Sequence, residues 1–346
     1  MAETIFGLPF DREIFIDTWN AEPDPTKTAM INSGAVVSDG VIAEKAATGS
    51  DTFTVPFYHT LTGTPGNYDG TTDITTAEIS GDSQTCVAFG RHQGFSARDF
   101  TYALNSADPM GFITSSVAKF WNKNDQTELL GILSAIFGIT GASGNAKKWH
   151  DNHIVDLCSD TATPYVIGAT DLNNLATQAM GDQKDQFGLV IMHSNVARTL
   201  ENMKLLEFWK QTDANGIERP LKLASCNGYT VVIDDGVPTE VVGGTDANQN
   251  LIKYTTYLLG NGCIRTAKAK MKSPQVEPWR DPAKNGGTDL LYTRVREVIH
   301  PNGFSFTPPA TGYSESPTPA QLSNTANWSI KFDPKAIPMA ALITNG

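Results

Sequence analysis

The chain has 346 residues, which is enough to bury a large core and to divide into two or three domains. Hydrophobic residues make up 40% and charged residues 18%, as in folded proteins, and 30 glycines with 19 prolines favour strands and turns over a helical bundle. The formal net charge of −11 and the lack of a Lys- and Arg-rich run exclude a surface that grips nucleic acid through its phosphates.

The cysteines and the apolar segments predict a cytosolic protein with no metal and no membrane contact. The four cysteines are far apart and form no CxxC pair, so they are predicted to be reduced core residues: Cys86, Cys158, Cys226 and Cys263. The N-terminus has no basic segment followed by an apolar core, so no signal peptide is predicted. The longest apolar run, Leu129–Ile139, is too short to span a bilayer.

The first part of the chain predicts an extended arm followed by a protruding hairpin. Residues 1–49 have no strong period and contain three prolines, which is typical of an extended arm. Apolar residues alternate with threonine from Asp51 to Tyr58, and a second strand is predicted over Gln84–Arg91. The polar loop between them, Thr60–Ser83, is too long for a compact domain unless it works outside the core.

A long helix follows. A helical region is predicted to begin at Ser96. A second start is predicted at Asp108, which would be the N-cap, with Pro109 as the first helical residue. Apolar residues recur at helical spacing from Pro109 to Phe137. Such a helix is about 43 Å long at the usual rise per residue, so it would serve as a spine for other elements.

The middle of the chain predicts a compact α/β unit over residues 166–267. A helix over Asp171–Met180 is expected to stop at Gly181. The buried strand Leu189–Met192 then turns into an amphipathic helix with Ser194 as its N-cap. Three more elements are predicted: a strand His153–Leu157, a strand Tyr229–Asp234, and a hairpin pairing Lys253–Leu259 with Cys263–Ala269 through Gly260-Asn261-Gly262.

The final third is predicted to be rich in strands, at Leu290–Ile299, Phe304–Thr307 and Asn327–Phe332. Five of the six tryptophans are spread over the segments after the arm and are interpreted as packing or interface anchors: Trp121, Trp149, Trp209, Trp279 and Trp328.

Two groups of residues could carry chemistry. His150 and His153 are close enough to share a metal, but their spacing supplies no third or fourth ligand. The glycines form neither a phosphate-binding loop nor a dinucleotide fingerprint. We therefore predict no metal-binding and no cofactor-binding residue.

A hydrolytic triad could use Ser194, His300 and either Asp234 or Asp235. No GxSxG motif frames the serine, and the two aspartates before Gly236 are better explained as a strand end and a turn. The sequence therefore predicts no catalytic residue and no enzyme.

Three segments resemble the major capsid (coat) proteins of tailed bacteriophages, which have the Hong Kong 97-type fold. They are Met180-Gly181-Asp182 with Val190-Ile-Met-His-Ser, Gly286–Leu290 with Val298–Gly303, and Ser316-Pro317-Thr318 with Asn327-Trp328. The order of arm, hairpin, spine helix, α/β unit and closing β layer is similar too, so the resemblance covers nearly the whole chain.

The resemblance implies an α+β fold with named parts. They are an N-terminal arm (1–49), the E-loop hairpin (50–95), a peripheral domain with the spine helix (96–165), an axial domain (166–267), and the β layer and C-terminus of the peripheral domain (268–346). Some members of the family join subunits through a Lys–Asn crosslink from this hairpin. Residues 51–91 contain no lysine here, so that crosslink is not expected.

The implied function is that of a structural subunit. It would assemble with itself, as hexamers and pentamers, into an icosahedral shell that encloses double-stranded DNA without sequence-specific binding. Scaffold, portal and decoration proteins are further partners that the resemblance suggests. The location would be the virion capsid, assembled in the host bacterial cytoplasm. The alternatives are an encapsulin-type nanocompartment shell and a small α/β hydrolase.

Overall fold

The computed structural model describes residues 4–5, 8–9, 15–16, 25–59, 61, 63–71, 73–74, 76, 78–98, 109–158, 164–212, 218–242, 251–269, 271–283 and 287–346. The α-helices within these residues are α1 Pro25–Asn32, α2 Gly40–Ala46, α3 Pro109–Phe137, α4 Gly144–His153, α5 Asp171–Met180, α6 Ser194–Asn202 and α7 Pro319–Leu322. Short 3-10 helices cover Gly181–Gln186, Thr325–Asn327 and Pro334–Ala336.

The strands come from every part of the described chain. In the first half they are β1 Thr4–Ile5, β2 Leu8–Pro9, β3 Val36–Ser38, β4 Thr52–Tyr58, β5 Gly81–Val87, β6 Phe89–Arg98 and β7 Ile154–Asp156. In the second half they are β8 Phe187–Met192, β9 Glu207–Thr212, β10 Glu218–Cys226, β11 Tyr229–Ile233, β12 Thr239–Val242, β13 Leu251–Gly260, β14 Ile264–Lys268, β15 Val276–Asp281, β16 Thr288–Pro301, β17 Phe304–Phe306, β18 Trp328–Ile330 and β19 Met339–Thr344.

An eight-stranded sheet organises the middle of the chain. Its order is β7-β19-β13-β8-β11-β10-β9, and β12 pairs with β13. The central strand β8 is an almost unbroken apolar run because both of its faces are covered. Leu189 and Ile191 lie in the main core, whereas Val190 and Met192 lie in a second core with α5 and α6. The sheet therefore separates two hydrophobic cores.

A five-stranded sheet is built around the long strand β16. β15 and β14 pair with successive parts of one side of β16, β6 pairs along the other side, and β3 adds to β14 in parallel. Ile264 and Ile299 of this sheet share the main core with Leu189 and Tyr257 of the larger sheet. One continuous core thus joins the two sheets.

The spine helix α3 supplies the centre of this core through Ile132, Leu133 and Ile136, which are fully buried. Its bounds, Pro109–Phe137, confirm the prediction; the predicted cap at Asp108 lies outside the described residues. No helix in the described part of the chain is long and apolar enough to cross a bilayer.

The predicted hairpin at residues 51–91 is confirmed as the antiparallel pair β4 and β5, but its second strand is Gly81–Val87 and not Gln84–Arg91, whose last residues belong to β6. The strands pair in register from Thr52 opposite Val87 to Tyr58 opposite Gly81. Residues 59–80 connect them, and the described ones are exposed. The helix predicted to open at Ser96 is wrong at its start, because β6 continues to Arg98 on the side of β16.

The hairpin predicted over residues 253–269 is wrong. β13 pairs with β12, β8 and β19, whereas β14 pairs with β16 and β3 in the other sheet. The turn itself explains the difference, because the backbone N–H of Asn261 donates to the Gln186 carbonyl (3.0 Å) and that of Gly262 to the Gly34 carbonyl (2.7 Å). These bonds hold the turn at the point where the chain passes from one sheet to the other.

Candidate functional site

The triad candidate Ser194 lies at the turn between β8 and α6. It is the first residue of the helix, and His193 is the N-cap: its Nδ1 accepts a hydrogen bond from the backbone N–H of Asn195 at 3.1 Å. The predicted cap at Ser194 is therefore wrong by one residue. The imidazole supplies the acceptor that a hydroxyl or carboxylate oxygen usually provides.

Asp235 approaches the same turn from the loop after β11. Its Oδ1 accepts a hydrogen bond from the Ser194 backbone N–H (3.1 Å) and lies 3.6 Å from Nε2 of His193. A negative carboxylate at a helix N-terminus is stabilising because the unpaired N–H groups there carry partial positive charge. Both side chains hold the start of α6 in place.

The other triad candidates, His300 and Asp234, do not contact Ser194 and have other partners. His300 is fully buried in β16, in the other sheet, with Nε2 3.4 Å from Oε1 of Gln84, and burial lowers the pKa of its imidazole to about 3. Asp234 receives a hydrogen bond from the backbone N–H of Gly236 (2.8 Å) and another from the amide of Gln126. It forms the turn that the sequence predicted. Ser194 and His300 are therefore not brought together.

The two histidines considered for a metal share helix α4 but differ in surroundings. His150 is exposed, and its Nδ1 lies 3.5 Å from Asp151. His153 is buried, stacks on Trp149 with ring centroids 4.5 Å apart, and has Nδ1 2.7 Å from the Met339 carbonyl. The part of the chain that the structure describes contains no group of three His, Cys, Asp or Glu residues placed to hold a metal.

The cysteines are free thiols. The prediction of core positions is confirmed for Cys86, Cys226 and Cys263, which are buried, whereas Cys158 is half-buried. Burial raises the pKa of the Cys86 and Cys263 thiols to about 12, so both stay protonated at neutral pH.

The hairpin β4–β5 is joined to the body of the protein at its base and is exposed beyond it. Its base is attached to the C-terminal segment: the rings of Phe57 and Phe332 meet edge-on with centroids 4.4 Å apart, and Lys331 pairs with Asp82 at 3.2 Å. The backbone N–H of Thr85 also donates to the Ser305 hydroxyl at 3.0 Å. These contacts hold the base against the two-stranded sheet of β17 and β18 and the residues that follow it.

Beyond its base the hairpin exposes apolar side chains. The exposed fractions are 69% for Leu61, 96% for Tyr68, 90% for Ile74 and 67% for Ile79. Residues 51–90 also contain five acidic residues and no Lys or Arg. Exposed apolar side chains are unfavourable in water, and acidic groups can face a basic surface, so this segment suits a partner.

Comparison with known proteins identifies the architecture. No protein-family profile matches the chain. The major capsid protein of Bacillus phage SPP1 is 29% identical over 316 residues, which are 90% of this chain and 89% of that protein. The chain is a homologue of a phage major capsid protein. The capsid of Ralstonia phage GP4 has a similar structure, with a TM-score of 0.61 and 10% sequence identity. The alignment covers 99% of this chain and 94% of the GP4 chain. The capsid of Helicobacter pylori bacteriophage KHP30 is similar as well, with a TM-score of 0.52 and 12% sequence identity. That alignment covers 93% of this chain and 91% of the KHP30 chain.

These matches confirm the fold class that the sequence motifs implied, the tailed-phage capsid fold with mixed helices and sheets. Helix α4 and strand β19 are among the elements that the sequence analysis missed. β19 pairs with β13 from Met339 opposite Leu259 to Thr344 opposite Tyr254. Its run Met339–Thr344 has the continuous apolar character of a strand buried on both faces, and that is the signal that could have located it.

Proposed function

We propose that this protein is the structural subunit of the icosahedral capsid of a tailed phage. The observation that carries the proposal is the match to the SPP1 major capsid protein, which extends over nine tenths of both chains and therefore over every layer of the fold. In this proposal the subunit binds copies of itself as hexamers and pentamers, resides in the virion capsid and is assembled in the host cytoplasm. It has no catalytic role.

The parts of the fold suit the proposed roles. The unit of α5, α6 and the central strands, within residues 166–267, would be the axial domain that meets at the fivefold and sixfold centres. The spine helix, with 96–165 and 268–346, would form the peripheral domain. The eight-stranded sheet also includes β7 and β19, so these two segments would tie the proposed domains together.

The hairpin 50–95 would be the E-loop that lies over a neighbouring subunit, and residues 1–49 would be the N-terminal arm. Support comes from the exposed apolar side chains beyond Tyr58, because burying them against a second copy would remove them from water. The acidic balance of the whole chain suits a wall around DNA, since like charges keep the duplex from adhering. Scaffold, portal and decoration proteins would be additional partners.

The test is electron microscopy of the full chain, produced alone and together with the products of neighbouring genes, after separation by sedimentation. We expect icosahedral shells, or hexamers and pentamers that become shells when a scaffold protein is supplied. Shells filled with a second protein would favour the encapsulin-type compartment instead. A monomer or dimer under every condition, with esterase activity lost in the Ser194→Ala variant, would overturn the proposal in favour of the hydrolase.

A further inference from the structure

A cavity of about 500 Å³ lies where helix α1, the spine helix α3 and strands β14 and β16 meet. Most of its walls are apolar, with Met30, Leu129 and Ile299 among them. Its other lining groups include two acids from different elements, Asp125 of α3 and Glu297 of β16. Two carboxyl groups beside an apolar cavity are costly if both are ionised, because burial penalises charge and like charges repel.

The two carboxyl groups form a pair. Glu297 is only 9% exposed and lines the same cavity as Asp125, close enough for each acid to shift the pKa of the other. Oδ1 of Asp125 is buried and receives no hydrogen bond from an N–H or hydroxyl group of the described chain. Ionised carboxylates only accept hydrogen bonds, so two such groups can bond to each other only through a proton on one of them. Burial, and then the charge of Asp125, raise the pKa of Glu297 to about 8.

Two of the elements around the pair bring a positive charge near it, and a third brings none. From α1, Nζ of Lys27 lies 3.6 Å from Oδ2 of Asp125, and its side chain is 49% exposed. From β14, Lys268 stands opposite Glu297 in the strand ladder and is exposed. From β6, the residue opposite Glu297 is the uncharged Phe89. The two lysines lower the pKa of both acids, but the effect of burial is larger.

We propose that a proton shared by Asp125 and Glu297 fastens the spine helix to strand β16, and that its release in mildly alkaline solution loosens this junction. Release leaves two negative groups facing each other beside a cavity that water can enter. The inference goes beyond the shell proposal, because it concerns the core of the single subunit and holds for any assembly.

The sign of the pH dependence follows from the pKa of Glu297. In the unfolded chain this pKa is the ordinary 4.5, and in the folded chain it is about 8, so the folded state binds the proton more tightly. The free energy of unfolding therefore falls as pH rises from about 4.5 to about 8, and this group causes no further change above that range.

The first measurement is the free energy of unfolding of the full chain between about pH 6 and about pH 9. The Glu297→Gln variant replaces the shared proton by an amide that still donates to Asp125, so we expect it to lose much less stability over this range than the wild type. Glu240→Gln, at an exposed position of β12, is the matched control and should follow the wild type. A Glu297→Gln curve parallel to that of the wild type would overturn the proposal.

The second measurement is infrared spectroscopy of the carboxyl C=O band, which reports the shared proton directly. We expect the wild type to show a buried protonated carboxyl at about pH 6 that disappears near pH 8, and Glu297→Gln to lack it. Lys27→Gln removes a nearby positive charge, so the loss of the band should move to higher pH. This shift also decides the matter if Glu297→Gln does not fold: an absent band in the wild type, or an unmoved midpoint in Lys27→Gln, would overturn the proposal.

Discussion

The indole of Trp149 is enclosed on both sides at the centre of the main core. The ring of His153 stacks on it at 4.5 Å and that of Phe137 at 5.3 Å, measured between centroids. Its Nε1 donates a hydrogen bond to the Ile136 carbonyl at 3.1 Å, which satisfies its only polar atom. This one residue therefore joins helix α4 to the end of the spine helix.

We predict that Trp149→Ala lowers the free energy of unfolding by about 3–5 kcal/mol, because it removes a large, fully buried side chain and leaves a cavity. Trp279→Ala is the matched control, since that side chain on β15 is 62% exposed, and it should cost no more than about 0.5 kcal/mol in the subunit. Denaturant titration of the two variants measures the difference. Similar losses for both would contradict the prediction.

Both tryptophans are interpreted from the sequence in the same way, as packing or interface anchors. What distinguishes them is helix α4, which was not predicted because its residues are mostly polar and show little helical period. The cap at His193 was missed for a related reason. N-cap preferences point to Ser, Thr, Asp and Asn, and only the structure shows the imidazole nitrogen taking that place.

Among the elements, the crossing from β13 to β14 depends on Gly260. Its N–H donates to the Pro338 carbonyl at 2.7 Å, and a Cβ on this residue would lie 2.8 Å from the Gln186 carbonyl oxygen and 2.5 Å from Cβ of Pro338. Three backbone segments thus meet where no side chain fits.

We predict that Gly260→Ala destabilises the subunit by about 1–3 kcal/mol, because the two neighbouring segments must move apart. Gly63→Ala is the control: nothing lies within 4 Å of the Cβ it would add, and its backbone is not in the left-handed region. The midpoints of thermal unfolding measure the effect. An unchanged midpoint for Gly260→Ala would show that this crossing is not tightly packed.

At the scale of the elements, a prediction succeeded where the structure depends on residues close together in sequence. It failed where the structure depends on hydrogen bonds to residues far away in sequence. The spine helix was predicted to the residue because its apolar period and its flanking Pro109 and Gly138 are local signals. The hairpin between β13 and β14 failed because its Gly-Asn-Gly turn is also a local signal, whereas the N–H groups of that turn bond to Gln186 and Gly34, far away in sequence. No local pattern contains those partners.

For the whole molecule, the capsid fold followed from the resemblance of particular segments and the order of the elements, not from periodicity alone. Periodicity predicted a hairpin with a long connection, and the structure confirms it as β4 and β5. The surface of the partner that receives this hairpin lies on another copy in the proposed shell, so neither one sequence nor one subunit contains it. Its role is open to a direct experiment.

We predict that the hairpin is needed for assembly and not for folding. In the test variant, residues 60–79 are replaced by Asn-Gly, a two-residue turn that suits the twist of β4 and β5. The bond from the His59 N–H to the Ser80 carbonyl, 2.9 Å in the intact protein, should form beside the new turn. Because the described residues of the removed segment are exposed, the thermal midpoint of the subunit should change little.

Assembly should fail in that variant, because about 20 residues with their exposed apolar groups would no longer reach a neighbouring copy. A milder pair, Tyr68→Ser with Ile74→Thr, keeps the full length of the hairpin and separates the effect of its apolar side chains from the effect of its reach. Sedimentation and microscopy measure the fraction of subunits in shells. If the shortened chain forms shells as completely as the wild type, the hairpin does not join subunits, and the exposed apolar groups at its tip must have another purpose.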